Sequence, residues 1–240
     1  MVPPVLFLLN YHAASDLATP VSAPDPVAIV PDGHLPAALR TPLRSGAFTV
    51  SDEEKIAAIE PHMAAVMDIL GLDLTNDSLR GTPRRVAKMF VQEWFRGLNP
   101  AHRPPIKQFA NTYQYNQLLV ERNITLFSCC EHHLVPIIGK ANVAYVPTDR
   151  GVGLSKLNRV VQYYARRPQV QERLTRQIGE ELRQTLGTND VAILIEADHL
   201  CVMSRGVNDT TSSTITTDFG GVFAESGGAM RLEFLRMLGK

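Results

Sequence analysis

The apolar positions along this chain fall into blocks whose period changes from helical to strand-like and back. From Ser51 onward, Ile56, Ile59, Met63, Val66, Met67 and Leu70 recur at helical spacing until Gly71, which predicts a helix with one apolar stripe. Thr82-Pro83, a capping residue followed by proline at the first helical position, announces a second helix that carries Val86, Phe90 and Trp94 to Gly97. Glu121 to Ser128 and Lys140 to Pro147 read as strands. Two helices follow: Ser155 to Arg166, carrying Leu157, Val160, Val161 and Tyr164, and Gln169 to Leu186, carrying Val170, Leu174, Ile178 and Leu182 before Gly187. The run from Val191 through Val202 reads as a buried strand, and Thr214 to Val222 adds another after Arg205-Gly206. Helices first, then strand pairs with two helices between them, predict an α+β fold.

Residues 1 to about 50 break this order. They hold half of the chain's 16 prolines, many alanines and no periodicity, so they are expected to form a mobile tail ahead of a domain spanning 51–240, itself helical over 51–118 and mixed over 119–240. Equal numbers of acidic and basic residues, 24 of each, leave no global field to recruit nucleic acid or an anionic membrane, so any anion site must be local. No apolar run approaches the roughly 20 residues that span a bilayer. Val5 to Leu9 is apolar but short and no cation precedes it, Arg40 being the first, which argues against a secretory leader. Free thiols without an export signal fit a reducing cytoplasm.

The chemistry concentrates in two places. All three cysteines and three of the seven histidines lie in Cys129-Cys130-Glu131-His132-His133 and His199-Leu200-Cys201. Cys130-x-x-His133 is a chelating step that a tight turn brings onto one ion. On a strand, His199 and Cys201 share a face. Cys130, Cys201, His132, His133 and His199 exceed a four-coordinate shell, so some must do other work. Two cysteines and one histidine make a catalytic-type zinc set with an open position, which leaves two histidines for proton transfer; two cysteines and two histidines make a closed structural knot. A disulfide framework fits poorly, since the cysteine count is odd and two of the three are adjacent.

A second constellation suits anions. Lys156 and Arg159 lie three apart beside Ser155, a capping residue at a helix start, where unpaired amide hydrogens and the helix dipole favour phosphate. Arg205, four residues past Cys201, is placed to join them. Arg85 and Lys88 repeat the spacing on the second helix, where a solvated face is the plainer reading. Gln171-Glu172 sets an amide beside a carboxylate, a pair able to read the adjacent donors of a guanine edge, although such a pair is ordinarily just surface.

Ser128-Cys129-Cys130-Glu131-His132-His133, Gly153-Leu154-Ser155-Lys156-Leu157-Asn158-Arg159, the stretch from Arg167 to Thr175, and His199-Leu200-Cys201 together resemble GTP cyclohydrolase I, in order and from about Ile56 to the C terminus. Cys129 departs from the family pattern, which often has a small or apolar residue there. The resemblance implies Zn2+ held by Cys130, His133 and Cys201, and acid/base roles for His132 and His199. It implies guanine contacts from Gln171 and Glu172 and triphosphate contacts from Ser155, Lys156, Arg159 and Arg205, with Arg85 and Lys88 near the phosphates. It also implies the tunnelling fold, in which small antiparallel sheets from several subunits join into a ring, here a homodecamer with active sites between subunits. The reaction implied converts GTP and water to 7,8-dihydroneopterin triphosphate and formate, the first step toward tetrahydrofolate and other pterins. Two other readings suit the same residues: a catalytically silent ring-forming zinc protein, and a module that senses GTP without consuming it.

Overall fold

The computed structural model describes residues Arg40–Lys240, so most of the expected tail lies outside the described residues, and its last part, 40–50, forms turns. Helix α1, Asp52–Ile69, starts on a capping box: the Ser51 hydroxyl accepts from the Glu54 amide, and the Glu54 carboxylate accepts from the Ser51 amide at 2.8 Å. Its predicted stripe is only partly covered. Ile56 and Met67 are buried, but Val66 and Leu70 are exposed, and Ile69 beside them is 83% accessible. Helix α2, Thr82–Lys88, corrects the expected cap, because Gly81 occupies the cap position and Thr82 and Pro83 are the first two helical residues. It widens over Met89–Trp94, where the Phe95 amide reaches back five residues to the Phe90 carbonyl at 2.9 Å.

The central sheet has the order β5-β2-β3-β6-β7, with β2 (Leu119–Cys130), β3 (Pro136–Tyr145), β6 (Val191–His199) and β7 (Thr214–Phe219) antiparallel in turn. Strand β5, only Pro168–Gln169, adds parallel to the end of β2. A separate ribbon pairs β1 (Gln108–Ala110) with β4 (Arg150–Val152). Helices α3 (Leu154–Ala165) and α4 (Gln171–Leu186) cover one face of the sheet. Leu157, Val161, Leu174, Ile178 and Leu182 pack there on Leu126, Ala141, Val143, Ile193 and Ile195. The other face is covered at one end by Phe223 and by Phe234 of helix α6 (Ala229–Met237), which lie over Ala144, Ala192 and Leu194. Strand β6 is therefore buried on both faces over Val191–Ile195, which explains its unbroken apolar run.

Two expected elements end elsewhere. Strand β6 stops at His199, and Leu200–Met203 forms a single helical turn, α5, instead of continuing to Val202. Ser155 does not cap α3; Gly153 does, and Ser155 is an exposed residue of the first turn. Helix α6 and the β1–β4 ribbon carry no strong periodic signal and appear only in the structure.

Gly139 of β3 is paired with Ala197 of β6, and a methyl added there would overlap the Glu196 carbonyl oxygen and the Ala197 Cα. Gly139→Ala is therefore expected to destabilise the fold by about 1–3 kcal/mol through overpacking of backbone that cannot yield. Urea unfolding measures it; an unchanged midpoint would show that the two strands tolerate separation.

Candidate metal centre

Strand β2 runs into a closed turn at its end. The Cys130 amide donates to the Val135 carbonyl at 2.8 Å and the Leu134 amide to the Cys130 carbonyl at 2.9 Å, with Leu134 in the left-handed region at φ 50°. The turn is tied sideways as well. The Glu131 amide donates to the Gln169 carbonyl at 3.0 Å, and the Glu131 carboxylate takes a two-pronged ion pair from Arg173 of α4 at 2.6 and 3.0 Å. Hydrogen bonding from that guanidinium holds the Glu131 carboxyl below its usual range. Nothing in the sequence separates Glu131 and Arg173 from ordinary surface charge, because the pair joins residues far apart along the chain.

The clamped turn presents His132 and His133 outward, with the Cys130 sulfur 3.8 Å from His132 Nδ1 and 3.7 Å from His133 Nδ1. Strand β3 then carries the chain away, and its pairing with β6 sets Ile137 opposite His199. Cys201, two residues further on, returns to the same turn. Cys130, His133 and Cys201 offer ligand atoms that all lie within 4.8 Å of one another. The shared-face expectation for His199 and Cys201 is corrected here, because the α5 turn rotates Cys201 toward Cys130 while His199 points to Gln171.

The donor chemistry of this group suits a metal. Burial, and then the neighbouring Cys130 sulfur, push the Cys201 thiol above its usual range. Two thiols crowded in this way lose their protons most readily to a cation that compensates both charges. Two thiolates and an imidazole form the soft-to-borderline set that zinc and its neighbours accept. Arg205 lies over the group, donating from Nη1 to His133 Nε2 at 2.7 Å. Cys129, one residue before the group, is turned into the core, where burial raises its thiol to about 11. It is not part of the ligand cluster.

His199 is half-buried. Burial lowers its pKa, with Glu172 and Asp198 opposing, so the ring favours its neutral form near pH 7. Its Nε2 lies 2.7 Å from Gln171 Oε1. Gln171 and Glu172, expected to act side by side, diverge: Gln171 is 1% exposed with its amide engaged inside the chain, whereas Glu172 is exposed beside His199.

The cations divide by place. The Asn158 side chain donates to Glu121 Oε1 at 3.1 Å, so the start of α3, with Ser155, Lys156 and Arg159, lies near the beginning of β2. Cys130 is at the other end of that strand, nine residues on, or about 30 Å at a strand's rise per residue. The sequence motifs thus meet in two groups on one chain: Cys130, His132, His133, His199, Cys201, Glu172 and Arg205 at one end of β2, and Ser155, Lys156 and Arg159 at the other. Arg85 on α2 is committed locally, donating to the Ser78 carbonyl and the Thr82 hydroxyl, each at 3.1 Å, and Lys88 is exposed one turn later.

Comparison with known proteins places the chain in a family. The family model for GTP cyclohydrolase I matches residues 59–239. A protein named GTP cyclohydrolase 1 from Flavobacterium johnsoniae is 57% identical over 194 residues, covering 81% of this chain and 87% of the relative. One of the same name from Salmonella arizonae is 49% identical over 209 residues, covering 87% and 94%. A match that takes in the metal group, both ends of β2 and the helices between them shows that this chain belongs to the GTP cyclohydrolase I family.

Proposed function

We propose that this protein is a zinc-dependent hydrolase that converts GTP and water to 7,8-dihydroneopterin triphosphate and formate, at the head of tetrahydrofolate and pterin synthesis. The observation that carries the reading is the convergence of Cys130, His133 and Cys201, with His199 and Glu172 beside them. Cys130, His133 and Cys201 would hold the ion, which when bound supplies Lewis acidity toward water. The protein's own groups do the rest. The Glu172 carboxylate accepts from adjacent N–H donors of guanine and sets the imidazole ring of the base toward the two histidines. His199, neutral near pH 7, takes a proton as water adds to the ring carbon, and His132, exposed at the mouth, delivers one to the ring nitrogen as the carbon–nitrogen bond breaks. A second water cleaves the remaining carbon–nitrogen bond and frees the carbon as formate, and reclosure onto the rearranged ribose carbons expels one water, for a net consumption of one.

The triphosphate needs the cations. Arg205 belongs to the metal end, while Ser155, Lys156 and Arg159 lie at the far end of β2, so a second copy of the chain is the natural source of these three. Arg85 and Lys88 add positive charge near the phosphates from a neighbouring copy. Three features favour a ring of copies, which we take to be a decamer. The outer edge of β7 has no strand partner among the described residues, the outer edge of β2 is paired only by the two residues of β5, and α1 exposes Val66, Ile69 and Leu70. We take 51–240 as the working domain, with a helical part over 51–118 and a sheet part over 119–240. The three free thiols suit a reducing cytoplasm, and among the described residues no helix is long and apolar enough to cross a membrane.

Incubation of the zinc-loaded protein with GTP is expected to release formate and produce a dihydropterin absorbance together, both abolished by a chelator. Bound zinc with GTP recovered unchanged would favour the sensing or assembly readings. His132→Ala and His199→Ala are each expected to retain zinc, measured by metal analysis, while turnover falls by roughly a hundredfold or more. Wild-type turnover in either zinc-retaining variant would remove that histidine from the mechanism.

A further inference from the structure

Gln171 is the first residue of α4, and its side chain turns inward under the sheet instead of outward like that of Glu172. Its Nε2 lies 3.2 Å from the Ile195 carbonyl, 2.9 Å from the Thr214 carbonyl and 3.1 Å from the Thr216 hydroxyl. Carbonyl oxygens only accept, so this end of the carboxamide must be the NH2, and the oxygen must face His199. The directions continue around a closed circuit. Thr175 donates to the Gln171 backbone carbonyl at 2.8 Å, so in the 2.6 Å contact between Thr175 and Thr216 the Thr216 hydroxyl donates, leaving its oxygen to accept from Gln171. The two amide hydrogens of Gln171 share three acceptors, and the amide has no alternative orientation that avoids facing oxygen with oxygen.

The consequence falls on the imidazole. A carboxamide oxygen accepts only, so at 2.7 Å the His199 Nε2 must carry the hydrogen. A neutral ring has one N–H, which leaves the lone pair on Nδ1. We infer that Gln171 is a positioning residue: it selects the Nε2–H tautomer of His199 and locks the ring so that Nδ1 faces the reaction, and it does not itself grip guanine. This rests on the hydrolase reading for its role in turnover, but the tautomer follows from the hydrogen-bond circuit alone. It also replaces the guanine contact that the sequence motif suggests for Gln171. A side chain 1% exposed, with both ends of its amide engaged by its own chain, has nothing left to offer a base.

The test uses Gln171→Met, which keeps the length of the side chain and removes its acceptor. A positioning role predicts a fall in kcat of about ten- to a hundredfold, the usual effect of losing a partner that orients a working histidine, with KM for GTP within about twofold of wild type. In a His199→Ala background the same substitution should cost nothing further, because its effect passes through the missing ring. A raised KM with kcat preserved, or a full additional loss in that background, would overturn the inference in favour of direct substrate contact. A second readout needs no turnover. In 15N-histidine-labelled, zinc-loaded wild-type protein, the resonances absent from His199→Ala should report a protonated Nε2 and an unprotonated Nδ1. The opposite tautomer would overturn the proposal. If the wild-type protein left GTP unchanged, the hydrolase reading would fail, and this spectrum would still decide the tautomer.

Discussion

One strand's register holds the functional end of this molecule together. Strand β3 pairs on one side with β2, setting Pro136 opposite Cys129, and on the other with β6, setting His199 opposite Ile137. Two clusters far apart in sequence thereby meet across the end of a single strand. A slip of one residue in either pairing would turn every β3 side chain to the other face and separate Cys130 from Cys201. The register is protected by burial on both sides of the sheet, where Val143 and Ile193 are sealed under one layer and Ala144 and Leu194 under the other. The close approach at Gly139 adds a steric pin just before the site.

Much of this was legible along the chain, and what was not has identifiable causes. The helices over Ser155–Arg166 and Gln169–Leu186 were visible because each packs one continuous stripe into the sheet. The grouping of Cys130, His133 and Cys201 was visible because thiols and imidazoles are scarce elsewhere. The strand expected through Val202 fails at Leu200 because an apolar run looks the same in a buried strand and in a half-exposed helical turn; only tertiary contacts choose between them. The α1 stripe is real, yet of its residues only Ile56 and Met67 are buried, while Val66 and Leu70 stay exposed. The Glu131–Arg173 clamp and the inward turn of Gln171 leave no local trace, since each depends on which distant backbone lies alongside.

Electrostatics divide the molecule as clearly as packing does. The metal end gathers groups whose protonation depends on neighbours: a Cys201 thiol raised by burial and by the adjacent Cys130 sulfur, an imidazole kept neutral by burial, and a carboxylate held ionised by Arg173. The far end of β2 holds Lys156 and Arg159, neither of which has an ion-pair partner among the described residues. A balanced net charge conceals this separation, because Lys156 and Arg159 sit near one end of β2 and the thiol and imidazole cluster sits at the other. On the proposed reading, assembly brings the two ends together from different copies, and the open strand edges and the α1 stripe are the surfaces that do so.

Subunit complementation tests that composite site most directly. Cys130→Ser removes the metal end and Arg159→Ala weakens the phosphate end, so each protein alone should be impaired in GTP turnover. Assembled together at equal amounts, they should regain roughly a quarter of wild-type activity, carried by sites that draw an intact metal end from one copy and an intact cation end from another. Hybrid assemblies no more active than the average of the two variants would contradict the account and place the whole site within one chain.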